Sequence, residues 1–344
     1  MKILKWIGTG FLGLLVIWGA LALLPKPQQV EGENLFRPAG DLPLIIAHRG
    51  GYHEFPESTM EAYCHAYRVD SNIVFEADAV LTKDDVLVIQ HDRSFDRNSD
   101  LPPGQPVRDV TYQSLIDNRV NFAYNNRLDS PNGTRQGDLV PYTNYKGESV
   151  TPLEANCPSH IAGRDPEVFL ITTVEELLRA FPQQRVTIEI KQSGDVGTLA
   201  LTQLIELLDT INSETPQQNI YQRVSLGTFH KDIYDQFVDL KNTSHPDLLF
   251  SPQNVVVLNY FILHLARLTT FFTAPVAALQ VPLVGDGFTL NTPLFINTAQ
   301  RHNIAVHYWT INDEVVMREL IELGVDGIIT DRISLLRSIL DEFE

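Results

Sequence analysis

Residues 73–92 read IVFEADAVLTKDDVLVIQHD, and how this stretch pairs decides the architecture. It holds two apolar runs, Ile73–Val80 and Val86–Gln90, with only five residues between them. A parallel crossover needs about a dozen residues, so the two runs are expected to pair as an antiparallel hairpin. Outward from this hairpin, further strand-like runs lie at Leu44–Ala47, Val186–Ile190, Val224–Phe229, Asp247–Phe250, Ala278–Val281, Ile304–Thr310 and Gly327–Thr330. Helical periodicity falls between most of them, at Val174–Phe181, Gly197–Asp209, Lys231–Leu240, Val255–Phe271, Pro293–His302 and Glu314–Leu323. Setting the second hairpin strand aside leaves eight strands that can run parallel. Eight parallel strands with intervening helices indicate an α/β fold, a (β/α)8 TIM barrel.

The stretch from about 93 to 171 fits no strand–helix unit and is rich in Asn, Pro, Gly and Asp. It is read as an insertion after the second strand region, over the barrel mouth, where functional loops concentrate. Ahead of the barrel, residues 1–24 carry Lys2 and Lys5 and then no charge from Trp6 to Leu24. That length is close to the roughly 20 residues that span a hydrocarbon core as a helix. The two lysines favour a cytoplasmic N-terminus, which places the catalytic domain outside the cytoplasm behind a single-pass anchor. The rival reading is a cleaved secretory signal, because Ala20-Leu21-Ala22 has a small-x-small pattern. Residues 25–41 read as a linker after Pro25 and Pro27, and 42–344 as the barrel domain.

The 344 residues hold 43 acids against 26 bases, a net charge of −17. Nucleic acid is excluded as a partner, since binding it needs a basic footprint. Cys64 and Cys157 lie far apart and read as neither a disulfide framework nor a paired-thiolate zinc site. Asn132-Gly133-Thr134 and Asn242-Thr243-Ser244 are glycosylation sequons only in a eukaryotic secretory pathway.

In a barrel the site forms at the C-terminal strand ends. The polar residues there are His48, Arg49, Glu76, Asp78, Glu189 and Lys191, with His91 after the hairpin strand. Glu76 and Asp78 are two apart on one strand and share a face. Carboxylates in such apolar runs are costly without a cation, and three of them make a hard-oxygen site suited to Ca²⁺ or Mg²⁺. The histidines are left for proton transfer, and Arg49 and Lys191 for a phosphate.

The strings IIAHRGGYHEFPEST, FEADAVLTKDDVLVIQHD, VTIEIK, HYWTIND and GVDGIITD, in that order over residues 45–331, resemble the glycerophosphodiester phosphodiesterases. The resemblance implies metal-dependent hydrolysis of glycerophosphodiesters to glycerol 3-phosphate and an alcohol. It implies His48 and His91 as the acid–base pair, Glu76, Asp78 and Glu189 as metal ligands, and Arg49, Lys191 and Trp309 around the substrate. Glu57 falls where the family has a supporting acid. The family's Pro-Glu-Asn-Thr string is Pro56-Glu57-Ser58-Thr59 here, and Ser58 is expected to cap the next helix. Asp331 is read as a cap for the last helix.

Residues 254–272 (NVVVLNYFILHLARLTTFF) are unusually apolar for a barrel helix. A buried helix and a hydrophobic rim leaning on a bilayer both fit them. A similar stretch occurs in the membrane-bound, lysophospholipase D-like branch of the family. Lysophospholipids reaching the site from a membrane are therefore an alternative substrate class. A non-catalytic, membrane-anchored binding barrel is the competing reading from another class.

Overall fold

The computed structural model describes residues 2–124, 139–155, 164–285 and 287–344, with side chains from residue 12 onward. Cys157, His160 and the Asn132-Gly133-Thr134 sequon lie outside the described residues. In chain order the strands are β1 (Leu44–Ala47), β2 (Val74–Leu81), β3 (Leu87–Ile89), β4 (Arg185–Ile190), β5 (Val224–Gly227), β6 (Leu249–Phe250), β7 (Ala278–Val281), β8 (Val284–Gly285), β9 (Phe288–Thr289), β10 (Ala305–Tyr308) and β11 (Gly327–Thr330). The helices are α1 (Lys2–Ala22), α2 (Met60–Val69), α3 (Tyr112–Asp117), α4 (Val174–Ala180), α5 (Gly194–Glu214), α6 (Ile220–Arg223), α7 (Lys231–Thr243), α8 (Asn254–Leu265), α9 (Pro293–Gln300), α10 (Glu314–Glu322) and α11 (Ile333–Leu340).

The sheet runs β6-β5-β4-β2-β1-β11-β10-β7, every neighbouring pair parallel, with β3 attached to β2. β3 pairs antiparallel with β2, Val80 opposite Val88, as the short 82–86 connection requires. Between the end strands, Ala277 N donates to Phe250 O at 2.9 Å, which brings the two edges together in a nearly closed barrel. The short strands are buried on both faces, so their runs are continuously apolar rather than alternating.

Strand parity divides the core. Ile45, Ala47, Phe75, Ala77 and Ala79 pack outward in one large cluster with the helices. Ile46, Val74, Ala305 and Ile329 turn the other way and pack with Val30 and Phe36. Phe36 is fully buried, and Asn34 Nδ2 donates to Ala277 O and Asn303 O, each at 2.8 Å. The stretch read as a linker, 25–41, thus packs against the barrel instead of hanging free. Within the insertion, Phe95, Val107, Leu115, Val120 and Phe122 form a small core of their own on Val80 and Val88 of the hairpin.

Three local expectations are corrected. Thr59, not Ser58, caps α2, its side chain accepting from Ala62 N, while Ser58 takes a left-handed φ of 61°. The helix expected over Val255–Phe271 stops at Leu265, and Arg267 follows with a left-handed φ of 60°. Cys64, fully buried in α2, is disulfide-bonded, against the expectation that cysteines so far apart form no disulfide. Among the described residues, no helix is long and apolar enough to cross a membrane. The expected anchor is helical over Lys2–Ala22, and Trp18 Nε1 donates to Ala266 O at 2.8 Å.

Candidate active site

β2 carries Glu76 and Asp78 with the parity of Val74, which faces the barrel interior. β4 lies beside it with Asp78 level with Glu189 and Glu76 level with Thr187. That register gathers the three carboxylates, one oxygen from each lying within 4.8 Å of the others. Burial, reinforced by the charge of Asp78, raises the pKa of Glu76 and pushes that of Glu189 up to about 7. Burial acts on Asp78 the same way, but Lys191 and Arg49 outweigh it and hold this carboxyl below its usual value. Asp78 Oδ2 is buried without a hydrogen-bond partner. A buried oxygen with no hydrogen bond and only the more distant Arg49 Nε, 3.5 Å away, in an all-oxygen cluster suits a hard divalent cation, so the residues fit Ca²⁺ or Mg²⁺.

The turn after β1 supplies one of the two cations. Arg49 has φ 52°, and Gly50 and Gly51 follow at 86° and 94°. A side chain at Gly50 would also meet Ala62 Cβ at 2.7 Å, so α2 packs this close only against glycine. The turn aims Arg49 N at Glu76 Oε2, 2.9 Å away, and sets Arg49 Nε 3.5 Å from Asp78 Oδ2. Lys191, one residue beyond β4, holds Nζ 3.0 Å from Glu189 and 3.4 Å from Asp78. The ion pair with Glu189 is therefore real, and it leaves the ammonium at the cluster.

Both histidines are held through Nδ1. His48 Nδ1 is 2.7 Å from Asp331 Oδ1, and Asn312 Nδ2 donates to Asp331 Oδ2 at 2.7 Å. His91 Nδ1 is 2.7 Å from Asp92 Oδ1, and Arg97 Nε donates to Asp92 Oδ2 at 2.6 Å. Such pairing sets the ring orientation and leaves Nε2 as the exchangeable nitrogen. For His48, burial works against the charged form, but the Asp331 bond and the Glu76 charge outweigh it and raise the pKa. Glu57 is buried behind the site, ion-paired to Arg97 and to Arg49. The two guanidiniums override burial and keep its carboxyl well below the ordinary range.

His48, Arg49, Glu76, Asp78, His91, Glu189, Lys191 and Trp309 line one cavity of about 280 Å³ at the C-terminal strand ends. Glu57 is the one candidate outside it, and it braces Arg49. Asp331 is corrected: it pairs with His48, while α11 has Arg332 at its cap position with no side-chain cap bond. Sequence reasoning missed the parts played by Asp92, Arg97 and Asn312. Asp92 and Asn312 stand in quoted strings, whereas Arg97 had no signal at all.

A barrel that sets an arginine and a lysine beside buried carboxylates and two carboxylate-held imidazoles is built to cleave an anionic ester, and so belongs among the barrel phosphohydrolases. The family model for the glycerophosphoryl diester phosphodiesterase family matches residues 48–335, and the chain belongs to that family. Its activity is glycerophosphodiester hydrolysis. Lysophospholipase D GDPD1 of Mus musculus is 25% identical over 321 residues, covering 87% of this chain and 86% of its own. A glycerophosphodiester phosphodiesterase of Bacillus altitudinis is 24% identical over 290 residues, covering 83% and 94%. The fold matches a glycerophosphodiester phosphodiesterase of Agrobacterium tumefaciens with a TM-score of 0.56 at 14% identity, covering 86% of this chain and all of the other. An Oleispira antarctica phosphodiesterase solved with sn-glycerol-3-phosphate gives 0.56 at 18% identity, covering 87% and 97%.

Proposed function

We propose that this chain hydrolyses its glycerophosphodiesters by paired imidazole catalysis beside a divalent cation, with His48 and His91 exchanging the protons. The observation that carries this reading is that both histidines, each anchored through Nδ1 to a carboxylate, open onto the cavity that holds the carboxylate cluster. Arg49 and Lys191 hold the non-bridging phosphate oxygens, and Trp309 closes one wall. One Nε2 takes the proton of the attacking oxygen, either a neighbouring substrate hydroxyl or water, as the new P–O bond forms. The other Nε2 gives a proton to the departing alcohol oxygen as the old P–O bond breaks. Glu76, Asp78 and Glu189 would hold Ca²⁺ or Mg²⁺, which neutralises charge that builds on phosphorus oxygens. The pH–rate profile is bell-shaped on this scheme.

Lysophospholipids and other lipid-derived glycerophosphodiesters are the substrate class we favour. The lysophospholipase D name of a relative and the exposed apolar side chains around the cavity mouth support this. We place the catalytic domain outside the cytoplasm, held by α1 as an anchor. The charge-free run from Trp6 to Leu24 behind two lysines supports that reading, as does a disulfide at Cys64, a bond of oxidising compartments.

The test is release of choline from glycerophosphocholine and lysophosphatidylcholine by the full-length chain, with Ca²⁺, Mg²⁺ or EDTA; the other product is glycerol 3-phosphate from the first and its acylated form from the second. Turnover is expected with a metal and should vanish with EDTA, in His48→Ala and in His91→Ala. Undiminished turnover in either variant would remove the paired-histidine mechanism.

A further inference from the structure

In a chain with 43 acids, residues 251–300 hold one, Asp286, and a single base, Arg267. This stretch contains α8. The helix turns Tyr260, Phe261 and His264 inward and leaves Val255, Leu258, Ile262 and Leu265 at 63, 44, 55 and 60% exposure. Spacings of three, four and three place these four on one face. Single exposed aliphatics are ordinary on a surface, but a continuous stripe is not. The stripe is about 17 Å long at the helical rise.

Its two ends meet different things. At the N-terminal end, Asn254 lines the active-site cavity together with Trp309 and Phe229, themselves 38 and 54% exposed. At the C-terminal end, Trp18 of α1 bonds Ala266 O, and Thr270 Oγ1 donates to Pro25 O. Past that junction α1 exposes Leu12, Leu14, Leu15, Val16 and Ile17. The apolar run of the N-terminal helix therefore continues along α8 to the mouth of the site.

We propose that the α8 face is a bilayer-docking edge, which seats the cavity mouth on a lipid surface so that a lysolipid enters headgroup first with its acyl chain still among lipids. This rests on the lipid-derived substrate reading above and adds the route. An acidic protein is repelled by an anionic phosphate surface, and this edge is where the carboxylates are missing. Burial of a helix face at the headgroup boundary is how amphipathic helices hold an interface. A second copy is the weaker occupant, because four side chains fall well short of the roughly 800 Å² per partner of a stable dimer.

The test uses the full-length chain in phosphatidylcholine vesicles, with a nitroxide on Ile262→Cys or, separately, on Val315→Cys of α10. Cys64 is disulfide-bonded and takes no label. The label at 262 is expected to collide with dissolved oxygen and be shielded from an aqueous nickel chelate, and the label at 315 to do the reverse. Equal exposure to the chelate at both positions overturns the proposal. Dipolar broadening between labels at 262 assigns the face to a second copy and overturns it as well. In parallel, Val255→Gln, Leu258→Gln, Ile262→Gln and Leu265→Gln combined should lower turnover of vesicle-borne lysophosphatidylcholine at least about tenfold while sparing soluble glycerophosphocholine. Unchanged turnover of the vesicle-borne lipid overturns the route. If the native chain turns over neither substrate, the functional reading fails, and the 262 label still decides the docking.

Discussion

His48 and Asp331 show how one hydrogen bond sets a role. The carboxylate at 2.7 Å holds Nδ1, orients the ring and favours its charged form, so Nε2 is presented to the cavity in a single direction. Asp331 is itself held by Asn312, through the side-chain bond to Oδ2 and a bond from its own amide to Asn312 Oδ1 at 2.9 Å. Asp331→Asn keeps the shape and loses the charge. It should lower kcat by about 100-fold with KM little changed, as for other carboxylate-held catalytic histidines. Steady-state kinetics beside a circular dichroism melt checks this, and a native-like kcat in a folded variant would reduce Asp331 to a structural residue. His48, Arg49 and the carboxylates were legible in the sequence because chemistry demands rare residue types inside apolar runs. Asp331 was not read correctly, since an Asp before a helix is equally a cap, and only the 283-residue closure onto His48 tells the two apart.

At the scale of elements, the site depends on the register of β4 against β2. With Asp78 opposite Glu189, the carboxylates of two strands stack on the interior face, and a slip by one residue would send Glu189 among the helices. This crowding has a titration consequence. Burial and the charge of Asp78 lift Glu189 to about 7, so without a cation it is largely protonated below that value. Binding a divalent ion requires the carboxylate, so affinity is full above about 7 and weakens as pH falls through it, with proton release on binding. Calorimetric Ca²⁺ and Mg²⁺ titrations on either side of that pH check the sign, and a pH-independent affinity would contradict it. The hairpin, the strands and most helices were readable from spacing and periodicity. The end of α8 was not, because its apolar run continues past Leu265 and the reversal at Arg267 is a backbone event with no Gly or Pro to announce it.

For the whole molecule, the barrel concentrates charge at one end. Glu57 is ion-paired to Arg97 and Arg49, Asp92 to Arg97, and Asp331 faces His48, whereas among the described residues the cluster of Glu76, Asp78 and Glu189 is ion-paired only to Arg49 and Lys191. A bound divalent ion therefore stabilises the folded chain by mass action, by about 2.7 kcal/mol at a hundredfold excess over Kd. That corresponds to a rise in Tm of roughly 4 °C for a domain of this size. Differential scanning calorimetry with Ca²⁺ or Mg²⁺ against EDTA reads it, and no shift with either ion would remove these carboxylates as its ligands.

The strand and helix order, the antiparallel hairpin, the barrel class and the residue types of the reaction can be read along the chain. All of these follow from local spacing, or from polar groups too costly to bury without purpose. Folding in three dimensions adds which carboxylate orients which imidazole, that Arg97 braces Glu57 and Asp92, that residues 25–41 pack onto the barrel, and that the exposed face of α8 joins the N-terminal helix to the cavity mouth. Apart from the short-range bonds of Asp92 to His91 and Arg97, those are contacts between segments tens to hundreds of residues apart. Periodicity reports which way a residue faces along its own element, and barrel closure alone determines what it meets there.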